Sequence, residues 1–429
     1  MTTQASTQLG NPLALIIAGG IIILLGLVPG MPSFIFLTLG IAAGLAGYFL
    51  SKSADKKIAE AANDVSEAIK ENDVNKEELN WDDVDQVDLV GLDIGYGLIP
   101  LVNPETGGQL LPRVKGVRKK LSAELGFLVQ PIRIRDNLDL EPDVYNIVMN
   151  GVIRGKGEIK IGQELAINPG QVHGSLEGTP TKEPAFGLDA VWIDPAQRDY
   201  ARTLGYTVVD PATAIATHLN TLLRNNASEL ISHDETQQLL DKVAERSPKL
   251  VEDLVPEKLS LATITKVLQN ILDESVSVRD MRTILEVLST ESSRTQDVEE
   301  LTAAVRPKLG RMIVQGLVDV DDNLPVMTLN PALEQMLNNI LQQSGSSQGL
   351  VIEPKLAESL ISALAKNTRE IEDQGSAAVL VVSPTLRPWL SKFIRHRLSD
   401  LTVLSYSEIP DDQAVDVVAT IDVDPSNEQ

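Results

Sequence analysis

Four histidines stand in the sequence, His173, His218, His233 and His396, and there is no cysteine. Thiol catalysis, disulfide staples and cysteine-ligated metals are thereby excluded. No two histidines share a ligand or triad spacing, and an isolated histidine is more often a surface or capping group than a ligand. The phosphate-cradling G-x-x-x-x-G-K-[ST], the zinc motif H-E-x-x-H and the EF-hand loop are absent. Asp82, Asp83, Asp85 and Asp88 lack the spacing and distal glutamate of a calcium loop, so they read as a solvated strand entry. Two basic clusters remain: Arg113, Lys115, Arg118, Lys119 and Lys120, and Arg387, Lys392, Arg395 and Arg397. In a chain of net charge −23 they read as solvated helix faces or as partners of acidic neighbours, not as a nucleic-acid surface. No catalytic constellation, metal site or cofactor is expected.

The segment most suited to binding is apolar. Residues 183–193 read EPAFGLDAVWI, and they place Phe186 and Trp192 among prolines and glycines in a chain that is 3% aromatic. Large apolar groups on a Pro/Gly-framed loop either form a protein-binding surface or plug the small core beneath them. Both readings stay open on the residues alone.

The elements around that loop follow from periodicity. Residues 87–94 and 98–102 read as strands, 109–125 as a helix, and 127–129 with 132–134 as an edge strand interrupted by Pro131. A hairpin is expected over 145–161 with Gly155-Lys156-Gly157 as its turn. Residues 162–195 read as loop-rich, and 196–204 and 211–230 as helices. From 234 to 307 the pattern is all-helical. Pro256 is expected to open one helix, and Ser277 with Asp280 is expected to form a capping box. Beyond 309 the pattern returns to mixed α/β, with helices at 331–342, 354–372 and 384–398 and strands at 377–382, 402–404 and 416–423.

Ahead of all this, residues 1–51 hold no Asp, Glu, Lys, Arg or His. Apolar runs at 12–28 and 33–50 flank a Pro-Gly-Met-Pro turn, and each approaches the ~17–25 residues that span a bilayer. The expectation is a transmembrane helical hairpin at 12–50. Lys52, Lys56 and Lys57 directly follow it, which places the rest in the cytoplasm. Residues 51–80 read as a charged, partly helical linker.

Several long stretches resemble one known family: LDIGYGLIPLV (92–102), VRKKLSAELGFLVQPIRIRDNLDLEPDVYNIVMNG (117–151), ELAINPG (164–170), PAFGLDAVWI (184–193), GYTVVDPATAIATHL (205–219), VRPKLGRMIV (305–314) and RHRLSDLTVLSYSEI (395–409). The chain resembles the C-terminal part of the export-gate (FHIPEP) family of type III protein secretion, flagellar and injectisome. The resemblance implies a multi-subdomain α/β cytoplasmic domain behind a transmembrane hairpin in the bacterial inner membrane. It implies an α/β first subdomain at 81–143 and 196–230, a small β-rich insertion at 144–195, a helical third subdomain at 231–300, an α/β fourth at 301–420, and a polar tail at 421–429. It implies a non-enzymatic platform in a nonameric homo-oligomeric ring. Its partners would be flagellar export chaperones carrying late substrates and other export-apparatus proteins, including the export ATPase complex. The family's chaperone groove maps onto Glu183, Phe186, Val209 and Thr217. An injectisome gate is the alternative within this class. A membrane-anchored enzyme or signalling protein is the alternative outside it.

Overall fold

The structure is a computed structural model that describes residues 87–319, 321–344 and 352–423, together with Gly20, Thr38 and Ile41. The chain divides after Gln86 into two compact units, and every element below belongs to the second. Apart from the three isolated positions, the hairpin expected at 12–50 and the linker at 51–80 lie outside the described residues. Among the described residues no helix is long and apolar enough to cross a membrane.

The first sheet begins with β1 (Val90–Ile94). Residues 98–102, expected as a strand, form a helical turn instead. Pro100 has no amide for a ladder, and its fixed φ suits the first turn of a helix. Helix α1 (Leu110–Leu125) crosses over to β2 (Arg133–Asp136), which pairs parallel to β1. Asp88 of the acidic run holds the arginines of β2 there, at 3.1 Å from Arg133 and paired with Arg135. Strands β3 (Val144–Met149) and β4 (Val152–Glu158) complete the order β2-β1-β3-β4. Their turn is Asn150-Gly151, with φ of 50° and 78°, not Gly155-Lys156-Gly157. Two successive positive φ values are what a tight hairpin of this hand requires, and Asn-Gly supplies them. Strand β3, inside the stretch 144–195 expected as the insertion, is the inner partner of β1, and its residues are almost wholly buried.

The second sheet contains β5 (Glu164–Ile167), β6 (Thr179–Lys182), β7 (Asp189–Ile193) and β8 (Thr207–Val209), in the order β6-β7-β5-β8. Helix α2 (Arg198–Thr203) leads into β8. Residues 207–209, within the 196–230 stretch expected in the first subdomain, pair with β5. Asp210 then caps α3 (Pro211–Asn225) by accepting the Thr213 amide at 3.0 Å, and α3 packs against α1.

The helical region follows expectation with shifted starts. Ser232 and Glu235 form a full capping box on α4 (His233–Ala244). Pro256 opens no helix; α5 (Leu261–Asp273) begins where Ser260 accepts the Thr263 amide. Ser277 stands outside α6 (Met281–Glu291), where its hydroxyl donates to the Leu125 carbonyl at 3.1 Å, and Asp280 is the cap. Asp297 caps α7 (Val298–Gln315). The last region runs β9 (Leu324–Leu329), α8 (Pro331–Ser344), α9 (Pro354–Glu372), β10 (Val379–Val382), α10 (Arg387–Arg395), β11 (Thr402–Ser405) and β12 (Val415–Ile421). Its sheet is all parallel, in the order β11-β10-β9-β12. Side chains alternate across it. Leu324, Val326, Val379 and Val381 join one core with α7, whereas Met327, Leu329, Leu380 and Val382 join another with α8, α9 and α10.

A buried charge cluster ties the helical region to this last sheet. Arg306 on α7 is 1% exposed and lies 2.8 Å from Glu408 and 3.1 Å from Glu274. Arg387 on α10 pairs with the same two carboxylates, 3.4 Å from Glu408. The second basic cluster is therefore not one solvated face: Arg387 is sealed in, and Arg395 reaches Asp273 at 3.1 Å. Burial alone would raise the Glu274 carboxyl, but the Arg306 and Arg387 guanidiniums overcome it and hold the group below the ordinary range. Gly310, one turn beyond Arg306, lets α7 approach so closely that a Cβ there would strike the Glu408 carbonyl. Breaking a buried pair strands a charge at a cost of about 3–5 kcal/mol. Glu408→Ala should lower the urea stability of the chain by that amount, and a loss below ~1 kcal/mol would refute the junction role.

Candidate partner-binding site

Residues 183–188 form the turn between β6 and β7. The Glu183 amide donates to the Leu188 carbonyl at 2.8 Å, and the Gly187 amide to the Glu183 carbonyl at 2.9 Å. Gly187 takes φ of 71°, where any Cβ would be strained. The Glu183 carboxylate closes the turn from inside: Oε1 accepts from the Ala185 amide at 2.9 Å and Oε2 from the Phe186 amide at 2.7 Å. Glu183 is 2% exposed, while Phe186 is 65% exposed. Leu188 is exposed beside it.

The two aromatics of the segment therefore split between the two readings. Trp192 is buried, opposite Leu165 across β5 and β7, and plugs the core. Phe186 is held outward by a buried carboxylate. Hydrogen bonds to an ionised group are worth about 1.5–3 kcal/mol, so the turn is fixed before any partner arrives.

Glu183 also acts inward. Its charge bears on Tyr145 of β3 and His218 of α3, whose side chains meet at 2.8 Å between Tyr145 Oη and His218 Nδ1. The rings stand edge to face, 5.8 Å apart. Burial first, and the Glu183 charge second, raise the Tyr145 phenol above its ordinary value. Burial lowers the His218 imidazole, against the opposing field of Glu183. Gly155 and Gly157 of β4 make room for these rings: a Cβ at Gly155 would meet His218 and one at Gly157 would meet Tyr145. Neither ring was legible as a site residue, although two glycines at strand spacing were the available signal.

Of the four expected groove residues, Glu183 and Phe186 are joined by a hydrogen bond. Thr217 is half-buried on α3, directly before His218. Val209 pairs with Leu165 on β8, at the far end of the sheet from the turn, and packs against the main core. Glu183, expected to face a partner, is turned inward because two amides claim its carboxylate.

Glu183→Ala should speed hydrogen exchange at the Ala185 and Phe186 amides by ten-fold or more, since ~1.4 kcal/mol is a factor of ten. Unchanged exchange would remove its clamping role. The unfolded chain takes up a proton near pH 6.5 that the folded His218 resists, so this contribution is intact above that pH and is lost as pH falls below it. The urea midpoint should drop from about pH 7.5 to about pH 5.5, and His218→Gln should flatten that drop.

A family model described as "FHIPEP family" matches residues 1–414. The chain is 43% identical over 418 residues to the flagellar biosynthesis protein FlhA of Escherichia coli strain K12, covering 96% of this chain and 58% of that protein. It is 36% identical over 414 residues to the flagellar biosynthesis protein FlhA of Bacillus subtilis strain 168, covering 96% and 61%. The chain thus spans about three fifths of the length of the curated relatives it matches. Among solved structures, the Chlamydia pneumoniae CdsV protein aligns at a TM-score of 0.68 with 22% identity, covering 80% of this chain and 100% of that one. The nonameric EPEC SctV-C aligns at a TM-score of 0.63 with 22% identity, covering 79% and 99%. The solved structures share the fold, and the sequence match runs through the clamped turn and both helices of the first region: the chain belongs to the FHIPEP family.

Proposed function

We propose that this chain is a non-enzymatic docking part of a flagellar protein-export gate, receiving export chaperones with their late substrates and passing cargo toward a membrane channel. The observation that carries the reading is Phe186, a large aromatic held exposed on a turn that the chain itself clamps. Burying such a ring on docking is worth about 1.5–3 kcal/mol, and a rigid loop loses little entropy on binding. Leu188 extends the apolar surface, and Thr217 offers a half-buried hydroxyl on the neighbouring helix. In this reading Glu183 positions Phe186 and does not itself touch the partner. The relatives named flagellar biosynthesis proteins favour the flagellar system over the injectisome. The nonameric neighbours favour a ring of such chains, with the uncharged N-terminal stretch as its anchor in the bacterial inner membrane.

The affinity of the full chain for a purified flagellar export chaperone bound to its cargo tests this. Phe186→Ala should weaken binding about ten-fold or more, the equivalent of ~1.4 kcal/mol or more. Glu183→Ala should weaken it less, through the loosened loop. Unchanged affinity for Phe186→Ala would overturn the site.

A further inference from the structure

Strand β12 is an open edge. It pairs with β9 on one side, and among the described residues no strand pairs with the other. The Leu324 amide of β9 donates to the Ala414 carbonyl. Backbone groups of alternate residues point to opposite sides of a strand, so Val415 and Val417 turn their amides and carbonyls outward.

Natural edges are usually blunted by charge, proline, a bulge or a cover, and β12 carries Asp416 and a bulge after Val417. Val415–Ile421 contains neither lysine nor proline. In parallel register Val415 faces with Leu324, and Val417 with Val326, on the side of the sheet where those two are buried. At the edge that cover stops: Val415 and Val417 are exposed, and so is Val418 at the bulge. After the bulge Ala419 and Ile421 turn to the opposite face and pack into the second core.

The rim of the ledge is acidic. The Gln413 side chain donates from Nε2 to the Asp322 carbonyl at 2.9 Å, tying the turn before β9 to the turn before β12. That brings Asp319, Asp321 and Asp322 beside Asp411, Asp412 and Asp416, all exposed. Arg311 neutralises Asp412 at 2.9 Å. Asp416 is held by the neutral Asn323 amide, and among the described residues no cation pairs with the others. A second copy of this edge would meet the same negative rim, so self-pairing is opposed.

We propose that the outer edge of β12 is a strand-addition site for an extended segment of a partner protein in which apolar residues alternate with Lys or Arg. Backbone amides and carbonyls of Val415 and Val417 supply the ladder. The valine ledge takes the apolar side chains, and the aspartate rim takes the cations. The site lies in a different sheet from Phe186 and stands independently of the proposed chaperone site.

The test uses the full chain and a fluorescein-labelled synthetic peptide of alternating lysine and valine, followed by fluorescence anisotropy. Val417→Pro removes an outward amide and spares the β9 ladder, a position where an edge tolerates proline. It should weaken binding ten-fold or more with the circular dichroism spectrum unchanged. If that variant unfolds, Asp411→Asn/Asp416→Asn leaves the backbone intact and should weaken binding several-fold. An alternating glutamate–valine peptide, and a peptide with the lysines and valines in two separate blocks, should each bind at least ten-fold more weakly. No binding to the wild-type chain would overturn the proposal. Equal binding of the blocked peptide, or by a folded Val417→Pro variant, would also overturn it, because the attraction would then be charge alone.

Discussion

Arg306 must be neutralised in a place that water does not reach, and the second half of the molecule is arranged around that requirement. Two guanidiniums and two carboxylates meet there, contributed by α7, α10, the end of α5 and the turn after β11. Each charge is costly to bury alone, and the four are tolerable only together. The cluster therefore sets the register of the helical region against the last sheet more sharply than apolar contact could, since leucine and valine tolerate small slides and a buried ion pair does not. Gly310 is the steric side of the same constraint, because α7 must come within backbone contact of Glu408 for Arg306 to reach it.

The proposed binding turn follows a similar logic on a smaller scale. A buried carboxylate is spent on two amides of its own loop, and the result is an aromatic ring held in water. The same charge also acts on the Tyr145–His218 pair, raising the phenol and opposing the fall of the imidazole. Two glycines on β4 create the space for that pair. The turn is thus fixed by its own hydrogen bonds, and in the proposed function that rigidity would spare docking at Phe186 an ordering cost.

The periodicity of α1, α3, α5 and α9 showed the helices, because an apolar stripe at helical spacing has few other solutions. Asn150-Gly151 signals the hairpin turn, but Gly155-Lys156-Gly157 competes with it, since glycines that make room for rings look the same as glycines that make turns. The three residues of β8 carry little pattern of their own, and β5 decides their place. Ser277 and Asp280 matched a capping box by spacing, but the Leu125 carbonyl, distant in sequence, took the serine hydroxyl.

The amino-acid sequence carries the uncharged stretch of 1–51, the lack of cysteine, the alternation of α/β and helical regions, and the family resemblance. These depend on composition, local periodicity and motif order, which a chain carries along its length. Tertiary structure alone decided that Glu183 faces inward and Phe186 outward, that Trp192 is core, that Arg387 is buried while Lys392 and Arg397 are exposed, and that β3 and β4 belong to the first sheet. Burial and pairing are properties of what lies opposite a residue, and residues far apart in sequence supply that.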